Sequence, residues 1–354
     1  MIRRTGLILV CLGLLLGMAL MRPGTAGRAA EQTPPFLMNA SAGKQASDAE
    51  QEDLRQLSVS VTAQAATDLY AFDLILTYDP LRLKLIGTES LLPGFAPEPK
   101  ESRGQVRYAF TRIGQTPGYN GDIPLVSFQF QQIRGGEASV QLVKANLVDS
   151  RLAMVEHKPE LAANITPDRE LEPFADLQGH WAEKSLQEAM ELGYVEGYPD
   201  GAFLPDVFIT REEVTAMLAR ALLLAGEHEP ADPFVDQAGI SSWAAPFVRH
   251  AVQAGLVTGY DDGTFRAPEY ILRQELAVML ARALEPSAYP GAAWRFSDYA
   301  LLEPWAEEGA GLAVRAGLMQ GKAGNRLAPL EYATRAEAAS MILRLLKTAD
   351  ALAL

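Results

Sequence analysis

The sequence predicts two folds in series, an all-β sandwich over residues 33–165 and an all-α repeat over residues 174–346. Three observations carry this. Short alternating segments broken by Gly, Pro and Asp fill the first half. A 62-residue register recurs three times in the second, and apolar stripes at helical spacing follow each landmark of that register. With 354 residues, 48% of them hydrophobic and 21% charged, the chain can bury more than one core.

The first residues precede either fold. Arg3 and Arg4 lead into an apolar run from Leu7 to Met21, and small residues follow from Gly24 to Ala30. That order predicts a secretory signal peptide over residues 1–29, in a run shorter than the roughly 20 residues that span a bilayer. Cys11 lies inside the run and is the one cysteine, so neither disulfides nor zinc–thiolate sites are expected in the exported chain. The leader carries four of the 31 basic residues and no acid, which leaves 27 against 44 acids, a net charge of −17. That sign argues against nucleic acid or an anionic membrane as partner.

In the β half, Leu57–Val61, Leu69–Leu76 ("LYAFDLIL") and Val126–Phe130 alternate in hydrophobicity. Further strands are expected at Arg82–Ile86, Gln105–Phe110 and Ser139–Leu147. Tyr78-Asp79-Pro80 reads as the close of a strand into a turn. From Glu156 to Pro173 the string turns polar and proline-containing, which reads as a linker, with 166–173 the segment between the two folds.

The repeat is strict. Trp181, Trp243 and Trp305 are each 62 residues apart, as are Gly193, Gly255 and Gly317, then Gly197, Gly259 and Gly321, then Arg211, Arg273 and Arg335. Each copy reads as two helices joined by a turn-rich loop, over 174–223, 234–285 and 296–346. In the second copy Trp243, Phe247, Val248, Ala251 and Val252 share one helical face, and Gly255 ends that helix. Asp200-Gly201 and Asp262-Gly263 supply turns. The second helix starts at the arginine, with Thr210/Glu213 and Thr334/Glu337 as capping boxes; Leu272 breaks the box in copy two, where Gln274 follows the arginine. One helix pair cannot bury its stripe alone, whereas three packed around a common axis can.

Arginine in the first turn opposes the helix macrodipole, at a cost of about 0.3–1 kcal/mol. A guanidinium beside free backbone N–H groups is also a receptor for carboxylate or phosphate. Two readings therefore stand: outward guanidiniums that bind a repetitive anionic ligand, or arginines neutralised by neighbouring acids. Catalysis finds little support. The four histidines lack metal-ligand spacing, and no G-x-S-x-G, P-loop or H-E-x-x-H sequence occurs. Neither enzyme, metal site nor cofactor is expected.

The strings "FADLQGHWAEKSLQEAMELGYVEGYPDGAFLPDVFITREEVTAMLARAL", "GLVTGYDDGTFRAPEYILRQE" and "GLMQGKAGNRLAPLEYATRAE" resemble the S-layer homology (SLH) motif. Its markers are the opening Phe-x-Asp, the Trp, the Gly-Tyr-x-Asp-Gly loop and the Thr-Arg-x-Glu box. The resemblance implies a pseudo-threefold helical bundle whose grooves bind secondary cell-wall polysaccharide, often pyruvylated. On it, Arg211, Arg273 and Arg335 would grip acidic sugars, while Asp200 and Asp262 would meet sugar hydroxyls or order the groove. Trp181, Trp243 and Trp305 are candidates for sugar contact, although aromatics at helical spacing more often enter a core. The third copy has Lys322-Ala323-Gly324-Asn325 in place of the acidic turn, which puts its groove in doubt. "LYAFDLILTYDPLRLKLIG" and "GDIPLVSFQFQQIRGGEASVQLVKANLVDS" are similar to the cohesin domain, a jelly-roll-like sandwich that docks dockerin-bearing proteins. A secreted, non-enzymatic protein of the bacterial cell wall or S-layer is implied. The alternative for the sandwich is a carbohydrate-binding or purely structural domain. No L-P-x-T-G sequence occurs, so covalent attachment is not the expected route.

Overall fold

A computed structural model describes residues 36–42, 55–102, 104–166, 172–198, 200–224, 234–290 and 296–348. The expected leader and its Cys11 lie outside them, and among the described residues no helix is long and apolar enough to cross a membrane.

Among the described residues nine strands lie in the first half: β1 (Phe36–Ala42), β2 (Gln56–Tyr78), β3 (Leu83–Ser90), β4 (Lys100–Ser102), β5 (Gln105–Thr111), β6 (Tyr119–Gln132), β7 (Ala138–Asp149), β8 (Met154–His157) and β9 (Leu161–Ile165). The two strands expected at 57–61 and 69–76 are one strand, β2. Its first part lies between β1 and β6, with Val59 opposite Ala40 and Phe128. Its second part lies between β5 and β7, with Leu74 opposite Tyr108 and Ala145. The change of partners happens where the register shifts between Val61 and Leu69. There Ala65 (φ 51°) and Asp68 (φ 53°) adopt left-handed backbone, which bends a strand out of one layer into the next. Asp68 holds the bend, its Oδ1 accepting from the Gly118 amide at 2.9 Å and its Oδ2 from Ser150 Oγ at 2.7 Å.

Alternation then fills the space between the layers. Leu57, Val59, Val61 and Ala63 are buried from one part of β2, and Leu74, Leu76 and Tyr78 from the other. Tyr78 meets Phe130 and Tyr108 meets Phe128, edge on, with ring centroids 5.1 and 5.8 Å apart. The second pair joins β5 to β6, strands that share no backbone ladder, and the first joins the far end of β2 to β6, so the layers close on a single apolar core. Past Tyr78 the expected turn forms: Asp79 Oδ1 accepts from the Leu81 amide, and the Asp79 carbonyl from the Arg82 and Leu83 amides.

Among the described residues six α-helices lie in the second half: α1 (Glu183–Glu191), α2 (Arg211–Ala221), α3 (Ala245–Gln253), α4 (Arg273–Ala281), α5 (Glu307–Arg315) and α6 (Arg335–Lys347). The second helix of every copy begins at the arginine. Thr210 and Thr334 make reciprocal boxes with Glu213 and Glu337. At Leu272 only half of the box survives: its amide donates to Glu275 Oε2 at 2.8 Å, but no hydroxyl is present to answer. The helices pack between copies, α2 on α3, α4 on α5 and α6 on α1. Hydrogen bonds repeat this order, since the Ile271 amide donates to the Ile209 carbonyl, Ala333 to Ile271, and Ile209 to Ala333.

The stretch from Glu156, expected to be linker, contributes β8 and β9, whose residues pair with β7. Residues 167–171 of that linker lie outside the described residues. Direct contact joins the two halves. Leu81 is buried in the helical core. Arg82 is ion-paired with Glu191 at 3.1 Å, and Arg134 donates to the Leu81 carbonyl at 2.7 Å and to the Ala221 carbonyl. The latter is the last residue of α2, where free carbonyls favour a cation.

Candidate functional site

The motif residues fall into three equivalent constellations, each joining the arginine of one copy to the loop and box glutamate of the next. The opening Phe-x-Asp is structural. Asp176 accepts from the Phe203 and Leu204 amides, Asp236 from those of Phe265 and Arg266, and Asp298 from those of Leu327 and Ala328. The second residue of each pair is left-handed, with φ of 57°, 58° and 56°. Two charge-assisted bonds thus hold a strained backbone at the same place three times. Phe174, Phe234 and Phe296 press against Gly197, Gly259 and Gly321 so closely that a Cβ there would lie within 2.5 Å of a ring carbon.

The arginines do not face outward. Arg211, Arg273 and Arg335 are 6%, 3% and 4% exposed. Each is paired to the box glutamate of the next copy: Arg211 to Glu275 at 3.5 Å, Arg273 to Glu337 at 2.9 Å and Arg335 to Glu213 at 3.2 Å. Their Nε groups donate to the carbonyls of Phe265, Leu327 and Phe203. The reading in which acids neutralise the arginines therefore describes the chain. Helix-start arginine offsets its dipole cost with a buried pair, and the last pair returns to the first copy.

The tryptophans depart from expectation in the other direction. Trp181, Trp243 and Trp305 are 62%, 47% and 57% exposed and lie ahead of their helices. They are surface rings rather than core. Asp200 and Asp262 order their own turns: Asp200 Oδ1 accepts from the Ala202 amide at 3.1 Å, and Asp262 Oδ1 from the Thr264 amide at 3.0 Å. Bonds from the Thr264 hydroxyl and amide, then from Arg266, lower the Asp262 carboxyl to about 2.

What lies over each arginine differs. The Tyr198 ring sits 4.6 Å from the Arg335 guanidinium and the Tyr260 ring 4.5 Å from that of Arg211. Their hydroxyls donate to Glu213 and Glu275. Burial, followed for Tyr260 by the Glu275 hydrogen bond, pushes both phenols up. At Arg273 the equivalent position is Lys322, whose Nζ lies 3.2 Å from Glu337 and 2.8 Å from Glu331. A cavity of about 220 Å³ opens here, lined by Trp181, Arg273, Lys322, Glu337, Ser340 and Arg344 with their neighbours. The third-copy loop, whose departure from the motif put its groove in doubt, forms one wall of this cleft. Sequence reasoning missed Ser340 and Arg344, whose signal was a hydroxyl and a cation four residues apart, on one face of α6. Among the described residues no cluster of His, Cys, Asp and Glu could hold a metal ion.

A sequence profile for the S-layer homology domain matches residues 173–215, 233–277 and 295–339. Cell surface glycoprotein 1 of Acetivibrio thermocellus is 34% identical over 136 residues, covering 36% of this chain and 6% of that protein. The cellulosome-anchoring protein of the same organism is 34% identical over 128 residues, covering 35% and 29%. The chain thus spans less than a third of the length of either. Among solved structures, the sixth cohesin of Acetivibrio cellulolyticus scaffoldin B, in complex with a dockerin, covers 38% of this chain and 99% of that one, at 18% identity and a TM-score of 0.29.

Proposed function

We propose that this chain, which carries three S-layer homology motifs, is a non-enzymatic cell-surface protein. Its helical half, a pseudo-threefold bundle, holds it non-covalently to an anionic secondary cell-wall polysaccharide, whose acid a ketal-linked pyruvate would supply. The observation that carries this reading is the cleft beside Arg273, where an exposed indole borders a cationic wall. A flat aromatic face stacks on the apolar face of a sugar ring, and clustered guanidinium and ammonium groups recognise an acid. The ring of buried Arg–Glu pairs supports the bundle, in which each copy completes the next. For the arginines we propose a supporting role, Arg273 lining the cleft and Arg211 and Arg335 tying copy to copy through their glutamates; Asp200 and Asp262 shape their loops, and the tryptophans contact sugar.

The β half is the displayed module. Its sequence likeness to cohesins supports docking of a dockerin-bearing protein, and no contact residues are assigned to it. Both readings are tested together. The full chain should sediment with purified bacterial walls and be released when their polysaccharide is extracted. Walls loaded with the chain should then retain an added calcium-loaded dockerin. Equal sedimentation with stripped walls overturns the anchor; retention of soluble glycans in place of dockerin overturns the docking head.

A further inference from the structure

We infer that the bundle carries a second contact for the wall, an aromatic platform on its axis that takes an uncharged sugar ring of the same polysaccharide. This presupposes the wall-anchoring reading and adds a site apart from the arginines, the tryptophans and the cleft.

Phe208, Tyr270 and Tyr332 share one position of the 62-residue register, three residues before the helix-start arginines. Their rings meet pairwise, with centroids 5.7, 5.5 and 5.6 Å apart, yet they are 45%, 46% and 44% exposed. Ile209, Ile271 and Ala333, next in sequence, are fully buried and make the hydrogen bonds that link the copies. Any large apolar side chain would cover those bonds. Three half-bare rings in contact add a surface of their own. Two of them carry a phenol hydroxyl, so the patch can stack on a ring and hydrogen-bond beside it.

Position, charge and area select the occupant. Helix α2 starts three residues after Phe208 and ends at Ala221, whose carbonyl accepts from Arg134 of the β domain. Its 11 residues set those ends about 16 Å apart. The platform thus lies at the pole away from the head, the pole turned to the wall when the head is displayed. Val207, Glu269 and Glu331 precede the rings. Glu269 lies 4.0 Å from Arg266, and Glu331 lies 2.8 Å from Lys322 and 3.0 Å from Arg326. Both glutamates are answered within the chain, so the rings and not a charge define the surface. Aromatic side chains bury about 150–250 Å² each, so three at near half exposure offer on the order of 200–350 Å². That is well short of the roughly 800 Å² per partner of a stable protein interface, and it suits a sugar ring. Lys322 also lines the cleft, so cleft and platform adjoin through Lys322, Glu331 and Tyr332. One glycan can pass from one to the other, and two linked contacts hold more tightly than either.

The test uses the full chain and polysaccharide released from purified walls, intact or with its carboxylates reduced by carbodiimide and borohydride. In the triple variant Phe208→Leu, Tyr270→Leu and Tyr332→Leu, leucine keeps the linking bonds covered but offers no flat face. Its affinity for intact polysaccharide should fall about tenfold, while the melting temperature moves by no more than a few degrees. Tyr332→Leu alone leaves two rings in place; it should weaken binding about threefold, and it carries the test if the triple variant is unstable. Wild type should retain weak binding to the reduced polysaccharide, and the triple variant should lose it. Unchanged affinity in both variants overturns the platform and leaves the anchor standing. So does reduced polysaccharide that fails to bind wild type or binds both proteins equally. Ring-dependent binding to peptidoglycan freed of polysaccharide, or a ring-dependent dimer in sedimentation velocity, identifies another occupant and overturns the assignment. Absence of wild-type binding to intact polysaccharide overturns anchor and platform together.

Discussion

A guanidinium that is 6% exposed and paired with a carboxylate cannot be read as a ligand contact on mutation alone. Arg211 donates to the Phe265 carbonyl at 2.8 Å, faces Glu275 and lies under Tyr260. Removing it strands a buried carboxylate, which typically costs about 3–5 kcal/mol. Arg211→Ala should therefore lower the midpoint of urea unfolding strongly, whereas Trp181→Ala, which removes an exposed ring, should leave stability within about 0.5 kcal/mol and reduce wall binding. Equal stability losses would contradict this division of roles. At this scale the sequence was legible in type but not in direction. Three arginines and three tryptophans marked the site, yet the arginines turned inward and the indoles outward. Spacing along one copy could not reveal this, because the partner that neutralises each arginine is 62 or more residues away.

Elements divide according to how local their signals are. The helix starts were readable because threonine, glutamate and arginine occupy adjacent positions, and the structure places Thr210 and Thr334 at φ −79° and −84° with their hydroxyls accepting from Glu213 and Glu337 amides. Thr210→Ala and Thr334→Ala should each cost about 1 kcal/mol, measured by urea unfolding; Leu272→Ala loses no cap bond, so any loss there comes from packing. Strand β2 was only half legible. Alternation predicted both of its parts, but the bend at Ala65 and Asp68 needs Gly118 and Ser150, about 50 and 82 residues further on. Strands β8 and β9 hid in a polar string because edge strands paired on one side tolerate polar residues.

For the whole molecule, the contact between the halves decides whether head and anchor unfold together. Arg82 and Arg134 are 8% and 9% exposed and cross from the β domain to the first copy, where Glu191 and the end of α2 receive them. Burial lowers the Arg134 pKa, the mark of a charge that depends on its carbonyl partners. Scanning calorimetry of the intact chain should show one transition, and Arg134→Ala should split it into two; two transitions in the unaltered chain would show that the halves are energetically independent.

The bonds among Ile209, Ile271 and Ala333 carry one more consequence. In an open solenoid, a unit can be gained or lost at either end and the remainder still stacks. Here the last copy donates to the second and the first donates to the last, so the array is a loop with no vacant end. Copy number is thereby constrained: duplication or deletion of a single unit opens the loop at the bonds that flank it, and variation proceeds by substitution inside the triplet, as Lys322 in the place of Tyr198 and Tyr260 illustrates.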